Sequence, residues 1–188
     1  MVNLMLELEP PEELASRGQA IETTNKISDF NRLSEIIAAD LSGLPDTRNP
    51  QQWRQNPVNI TLRFGWIEAR PGIPSVEGSV STVVNLLCQR CLDPLELQLD
   101  VELHLLLPQT GVSPAGYEGY EIWEFDENDV RPADLVEEAL IMALPFSALH
   151  KSSDSCKQLS EDRQPDESRK TRPFEDLKSL MTEADEQD

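Results

Sequence analysis

From residue 95 to residue 107 the chain reads LELQLDVELHLLL, in which Leu95, Leu97, Leu99, Val101, Leu103, Leu105 and Leu107 alternate with Glu96, Gln98, Asp100, Glu102 and His104. Successive side chains of a strand point to opposite faces, so this pattern demands an extended strand with one face on a core and the other in water. Strands wetted on one face are typical of antiparallel sheets. Residues 58–66 alternate as well, with Val58, Ile60, Leu62, Phe64 and Trp66 on one side and Asn59, Thr61, Arg63 and Gly65 on the other. Residues 78–87 (GSVSTVVNLL) are β-branched enough for another strand, and 120–125 (YEIWEF) predict a short one.

Helical spacing occurs twice in the same chain. Between residues 27 and 44, Phe30, Leu33, Ile37, Leu41 and Leu44 recur every three or four positions behind Ser28 as a candidate N-cap. Further on, Asp134 stands three residues before Glu137 as in a capping box, and Leu135, Val136, Ala139, Leu140, Met142, Ala143 and Leu144 form a broad apolar face that stops at Pro145. Residues 46–57 (DTRNPQQWRQNP) and 108–119 read as loops. Residues 151–171 are polar and mixed in charge, as an extended or disordered tail would be, and only 172–181 (RPFEDLKSLM) recover a short helical pattern that predicts a docking helix.

There is no repeat of fixed period, and 188 residues suit one domain with tails. The expected architecture is α+β: an antiparallel, strongly curved or barrel-like β-sheet, one or two packed helices and a polar C-terminal tail. Its expected divisions are a helical and linker region at 1–57, a core domain at 58–156 and the tail at 157–188.

The formal charge of −19, from 35 acidic and 16 basic residues, repels a phosphate backbone and favours a basic partner. Residues 92–150 alone hold 13 carboxylates against the single Arg131. Few basic residues and 5% aromatics give poor support to a stacking platform for single-stranded RNA, so strong direct RNA binding is not expected. No run of 18 apolar residues occurs, and the start, MVNLMLELE, carries acids where a signal peptide needs positive charge, so a cytoplasmic protein is expected. Phosphate-binding glycine loops, H-E-x-x-H and G-x-S-x-G are absent.

Cys88 and Cys91 lie three positions apart in CQRC, between two strand-like runs and therefore at a hairpin tip. Residues i and i+3 of a turn come within about 7 Å, so both sulfurs can face one ion. The same spacing serves zinc ribbons and knuckles, whose thiolates bind at about 2.3 Å. The pair supplies half a tetrahedral site, and the remaining soft ligands are His104, His150 and Cys156. His150 and Cys156 stand close together after the second helix, which makes Cys88, Cys91, His150 and Cys156 a candidate set for a structural zinc. His104, 13 residues along a strand from Cys91 and on its wet face, reads as a surface histidine. A redox pair needs something to depress a thiol pKa, such as a helix N-terminus, and here a strand follows the motif and offers only Arg90. Three cysteines cannot pair fully, and reducing cytosol keeps thiols free, so free thiols and a structural metal both stay open.

The ordered pattern resembles the bacterial YceD family of large ribosomal RNA accumulation proteins. It is carried by GSVSTVVNLLCQRCL at 78–92, an acidic segment, LVEEALIMALP at 135–145, His150, Cys156 and RPFEDL at 172–177. The resemblance covers roughly residues 58–180, with CQRCL and EEALIMALP plus His150 and Cys156 as its most specific parts. Residues 1–57 and the charged insertion between Cys156 and Arg172 depart from it. It implies support of large-subunit ribosomal RNA accumulation without a known catalytic activity, in a family whose genes often neighbour that of a small basic ribosomal protein. Together with the charge, it points to a ribosomal large-subunit protein or pre-ribosomal particle as partner. Glu121, Glu124, Asp126, Glu127, Asp129, Glu137 and Glu138 are the candidate surface for that cationic partner. The alternative is a thiol- or metal-dependent enzyme, redox or RNA-processing, built on the CQRC pair.

Overall fold

The computed structural model describes residues 4–45, 48–67, 72–108, 119–124, 129–151 and 156. The chain divides into two units, Met1–Lys151 and Ser152–Asp188. In the second, Cys156 is the residue described and is half-buried; the predicted docking helix at 172–181 lies outside the described residues.

The first unit is built on five strands in the order β1-β2-β3-β4-β5: β1 at Ala20–Lys26, β2 at Pro57–Ile67, β3 at Ile73–Leu87, β4 at Pro94–Leu106 and β5 at Glu121–Ile122. Its helices are α1 at Pro11–Ser16, α2 at Asn31–Leu41 and α3 at Pro132–Ala143. The longest ladder joins β3 to β4 antiparallel, from Ser75 opposite Leu106 to Leu87 opposite Pro94. The alternation of β4 has the expected result: Leu95, Leu99, Leu103 and Leu105 are buried while Glu96, Gln98, Asp100, Glu102 and His104 are exposed. Val58, Ile60, Leu62 and Phe64 of β2 are buried likewise, but Trp66 at the strand's end is 44% exposed. β3 passes so close to β2 that a Cβ on Gly78 would lie 2.0 Å from the Thr61 carbonyl oxygen, a position only glycine fits.

The α+β class holds, with two corrections to the sheet. It is mixed, because β5 runs parallel to β4, and it is open, because β1 and β5 end the strand order without pairing to each other. Helices cover its apolar face where a barrel would cover itself: α1 packs on β2 and β3, α2 on β3, and α3 on β4. Leu33, Ile37 and Leu41 of α2 and Leu135, Val136 and Leu140 of α3 are buried, at about 1.5–3 kcal/mol for each such side chain removed from water. Met142 is 69% exposed, so the apolar face of α3 is narrower than its spacing suggested. Among the described residues, no helix is long and apolar enough to cross a membrane.

Residues 1–57 supply α1, β1 and α2, so they include an edge strand absent from the sequence reading. Helix α2 also begins later than its periodicity implied, after a short 3-10 turn at Ile27–Asp29, and Ser28 does not cap it. No side chain of its own segment caps α2; instead Leu33 N–H donates to the Glu137 carboxylate of α3 at 3.1 Å. That carboxylate satisfies an orphan amide where the helix dipole favours negative charge. The capping box expected at Asp134 does not form either: α3 starts with Pro132 at its first position, which needs no N–H partner, and Asp134 pairs with Arg131 at 3.6 Å.

Candidate metal centre

The end of β3 delivers Cys88 into the turn that leads to β4. Cys88 N–H donates to the Asp93 carbonyl and Leu92 N–H to the Cys88 carbonyl, both at 2.9 Å, and Leu92 takes a left-handed φ of 59° to close the loop. Gln89 N–H reaches the Ala148 carbonyl at 2.9 Å, which fastens the turn to the segment following α3. Asp40 of α2 accepts the Leu87 amide at 2.6 Å and Arg48 pairs with Asp93 at 3.0 Å, so both strand ends beside the turn are held from outside.

This anchoring brings His150 to the cysteines. Its Nδ1 lies 3.4 Å from Cys91 Sγ, and the ligand atoms of Cys88, Cys91 and His150 all fall within 4.8 Å of one another. A tetrahedral zinc with sulfur at about 2.3 Å and nitrogen at about 2.0 Å sets S···N at about 3.5 Å and S···S at about 3.8 Å. Cys88 and Cys91 are buried at 0% and 3% exposure, and His150 is half-buried. Burial pushes the Cys88 thiol up, but hydrogen bonds from the Cys91, His150 and Arg90 backbone outweigh it, with a further contribution from the Cys91 side chain, and bring it down to about 6. The sulfur is therefore poised as thiolate, the form that binds metal.

Sequence pattern therefore led to three side chains that the fold assembles. Cys156, the fourth candidate, belongs to the second unit. His104 stays apart on the solvent face, half-exposed, with its ring edge-on to Tyr120 at 6.0 Å between centroids. The Tyr120 hydroxyl in turn donates to Glu77, which holds its pKa above the ordinary tyrosine value. The backbone hydrogen bonds that lower the Cys88 thiol supply what the sequence offered only through Arg90, but two dispositions still oppose a redox centre: the motif follows a strand rather than opening a helix, and redox-reactive thiols are accessible whereas these are enclosed.

The candidate acidic surface divides. Glu121 and Glu124 are exposed and Asp129 is half-buried, whereas Asp126 and Glu127 lie outside the described residues. Glu137 is turned inward as the cap of α2 and so is withdrawn from any partner, because the neighbouring helix needs its carboxylate. Glu138 is half-buried and engaged with Arg32 at 2.7 Å, and this carboxylate holds the guanidinium pKa above its ordinary value. Beside this surface lies a groove of about 330 Å³ bounded by β4, β5 and α3, which the sequence reading missed. Its one signal was Met142, which sits off the buried face of α3.

A family model described as "Large ribosomal RNA subunit accumulation protein YceD" matches residues 76–181, more than half of the chain. The chain belongs to the YceD family. The YceD match starts inside β3, later than residue 58, and takes in the cysteine turn, β4, β5 and α3. In this YceD chain β1 and β2, which complete the sheet, precede the matched region. No curated protein and no solved structure matches it.

Proposed function

We propose that this protein is a non-enzymatic factor of large ribosomal subunit biogenesis in the cytoplasm, supporting accumulation of the large-subunit ribosomal RNA by binding a basic ribosomal protein. The family match over residues 76–181 carries the reading. The charge of −19 supports a protein partner over direct grip on RNA. Co-sedimentation of the full chain with large-subunit precursors is the deciding experiment. Recovery in precursor fractions is expected at low ionic strength and should fall steeply with salt, and absence from those fractions at every salt concentration removes the proposal.

The cysteine turn serves this role as a structural zinc centre held by Cys88, Cys91 and His150, with Cys156 as fourth ligand. Two soft sulfurs and an imidazole suit zinc, and six residues of chain after His150 reach about 20 Å, ample to return Cys156 to the turn. The metal would supply folding energy and tie the chain beyond α3 to the β3–β4 turn. Metal analysis of purified protein should find zinc near one per chain, and thiols should become titratable only after chelation. Two rapidly cycling thiols without chelation would favour the thiol-enzyme alternative.

A further inference from the structure

The groove beside α3 continues an unusual feature of the sheet. Strand β5 covers only Leu105 and Leu106, so among the described residues no strand pairs with the outer edge of β4 from Pro94 to His104. A long edge of unpaired N–H and C=O groups is a template for an added strand. On the solvent face this edge presents Glu96, Asp100 and Glu102, all exposed, and on the other face half-buried Leu97 and Val101. Val101, Leu103 and Leu105 floor the groove, with Trp123, Ala139 and Met142 around it. Ile122 and Met142 leave it 50% and 69% exposed, a large apolar outlay for a chain this acidic.

We propose that this edge and groove receive an extended segment of a partner protein in which apolar residues alternate with Lys or Arg. Laid beside β4, such a segment sends its apolar side chains into the groove and its basic ones opposite Glu96, Asp100 and Glu102, because strand side chains alternate between faces. The same carboxylates oppose the other occupants. A second copy would set them against their own kind, and the chain's own segment 172–188 carries six acids against two bases. That the partner is a basic ribosomal protein rests on the function proposed above; the mode of capture rests on the edge and groove alone.

The probe is a fluorescent peptide of alternating Lys and Val, titrated by anisotropy against the full-length protein and compared with an isomer of equal composition patterned at helical spacing. The alternating peptide should bind about tenfold tighter than the isomer, and methylating its alternate backbone amides should cost at least about tenfold. Ala139→Trp, which fills the groove without changing charge, should weaken binding by a similar factor while melting like the wild type. Equal affinity for the two isomers, indifference to methylation, or unchanged binding by a folded Ala139→Trp variant overturns the proposal. Amide exchange on the wild type gives a variant-free arm: protection along residues 96–102 supports the edge, and protection confined elsewhere overturns it. Tighter binding by Phe174→Ser assigns the edge to the chain's own tail, and a doubled mass assigns it to a second copy; either overturns it too. Failure of the peptide arms with co-sedimentation retained removes this inference and leaves the function above standing. Loss of co-sedimentation with peptide binding retained does the reverse.

Discussion

At residue scale the chemistry concentrates in Cys88. Its folded-state pKa of about 6 lies below that of an ordinary thiol, near 8.5, because several backbone amides aimed at the sulfur outweigh its burial. Between those two values the unfolded chain binds more protons than the folded one, so stability rises with pH across the window and is lost as pH falls towards 6. In chelator-treated protein the thiolate ultraviolet absorbance should titrate with a midpoint near 6 and lose that phase in Cys88→Ala. A single transition at the ordinary thiol value would contradict the assignment. With metal present, Cys91→Ser should release zinc and lower Tm by more than about 5 °C, as loss of a folding-coupled metal does. Wild-type zinc content in that variant would remove Cys91 from the ligand set.

At the scale of elements, two adjacent glutamates on α3 do different work. Glu137 closes the start of α2 from a distance of 104 residues in sequence, while Glu138 makes a partly exposed pair with Arg32. Removing a buried cap leaves an orphan amide, so Glu137→Ala should cost about 1–3 kcal/mol in urea unfolding. Glu138→Ala should cost under about 1 kcal/mol, because exposed pairs contribute little. Equal costs would show that the cap is not the stabilising contact. Between strands, the Gly78 contact with Thr61 leaves no room for a methyl group, and Gly78→Ala should destabilise by about 1–3 kcal/mol through overpacking, read by the same unfolding curves.

At the scale of the whole molecule, the sheet couples the family-matched segment to the residues before it. β2 pairs with β3 over ten positions from Val58–Thr82 to Ile67–Ile73, and α2 covers β3. A fragment beginning at residue 76 would lose α1, β1, α2 and β2 and expose the apolar face and edge of β3, so it should show no cooperative thermal transition by circular dichroism. A sharp transition would mean that the matched segment is a domain by itself. Alternation and helical spacing depend only on neighbouring residues, and they made β2, most of β3, β4, α2, α3 and the turn bearing Cys88 and Cys91 legible in the chain. Strand β1 was not, since Ile21 is its one buried residue and leaves no pattern, and its extended form comes from pairing with β2. The charge of Glu137 read as surface because nothing near it in sequence announces the α2 amide it serves. The approach of His150 to Cys91 was inferred from ligand chemistry, but the Gln89–Ala148 hydrogen bond that holds it there joins segments 59 residues apart. Among the described residues, the open β4 edge and its groove follow from how short β5 is and where α3 packs. Composition and local periodicity thus set which faces are apolar, whereas the meeting of distant surfaces settled how the sheet ends, which carboxylates face inward and which apolar residues border the groove.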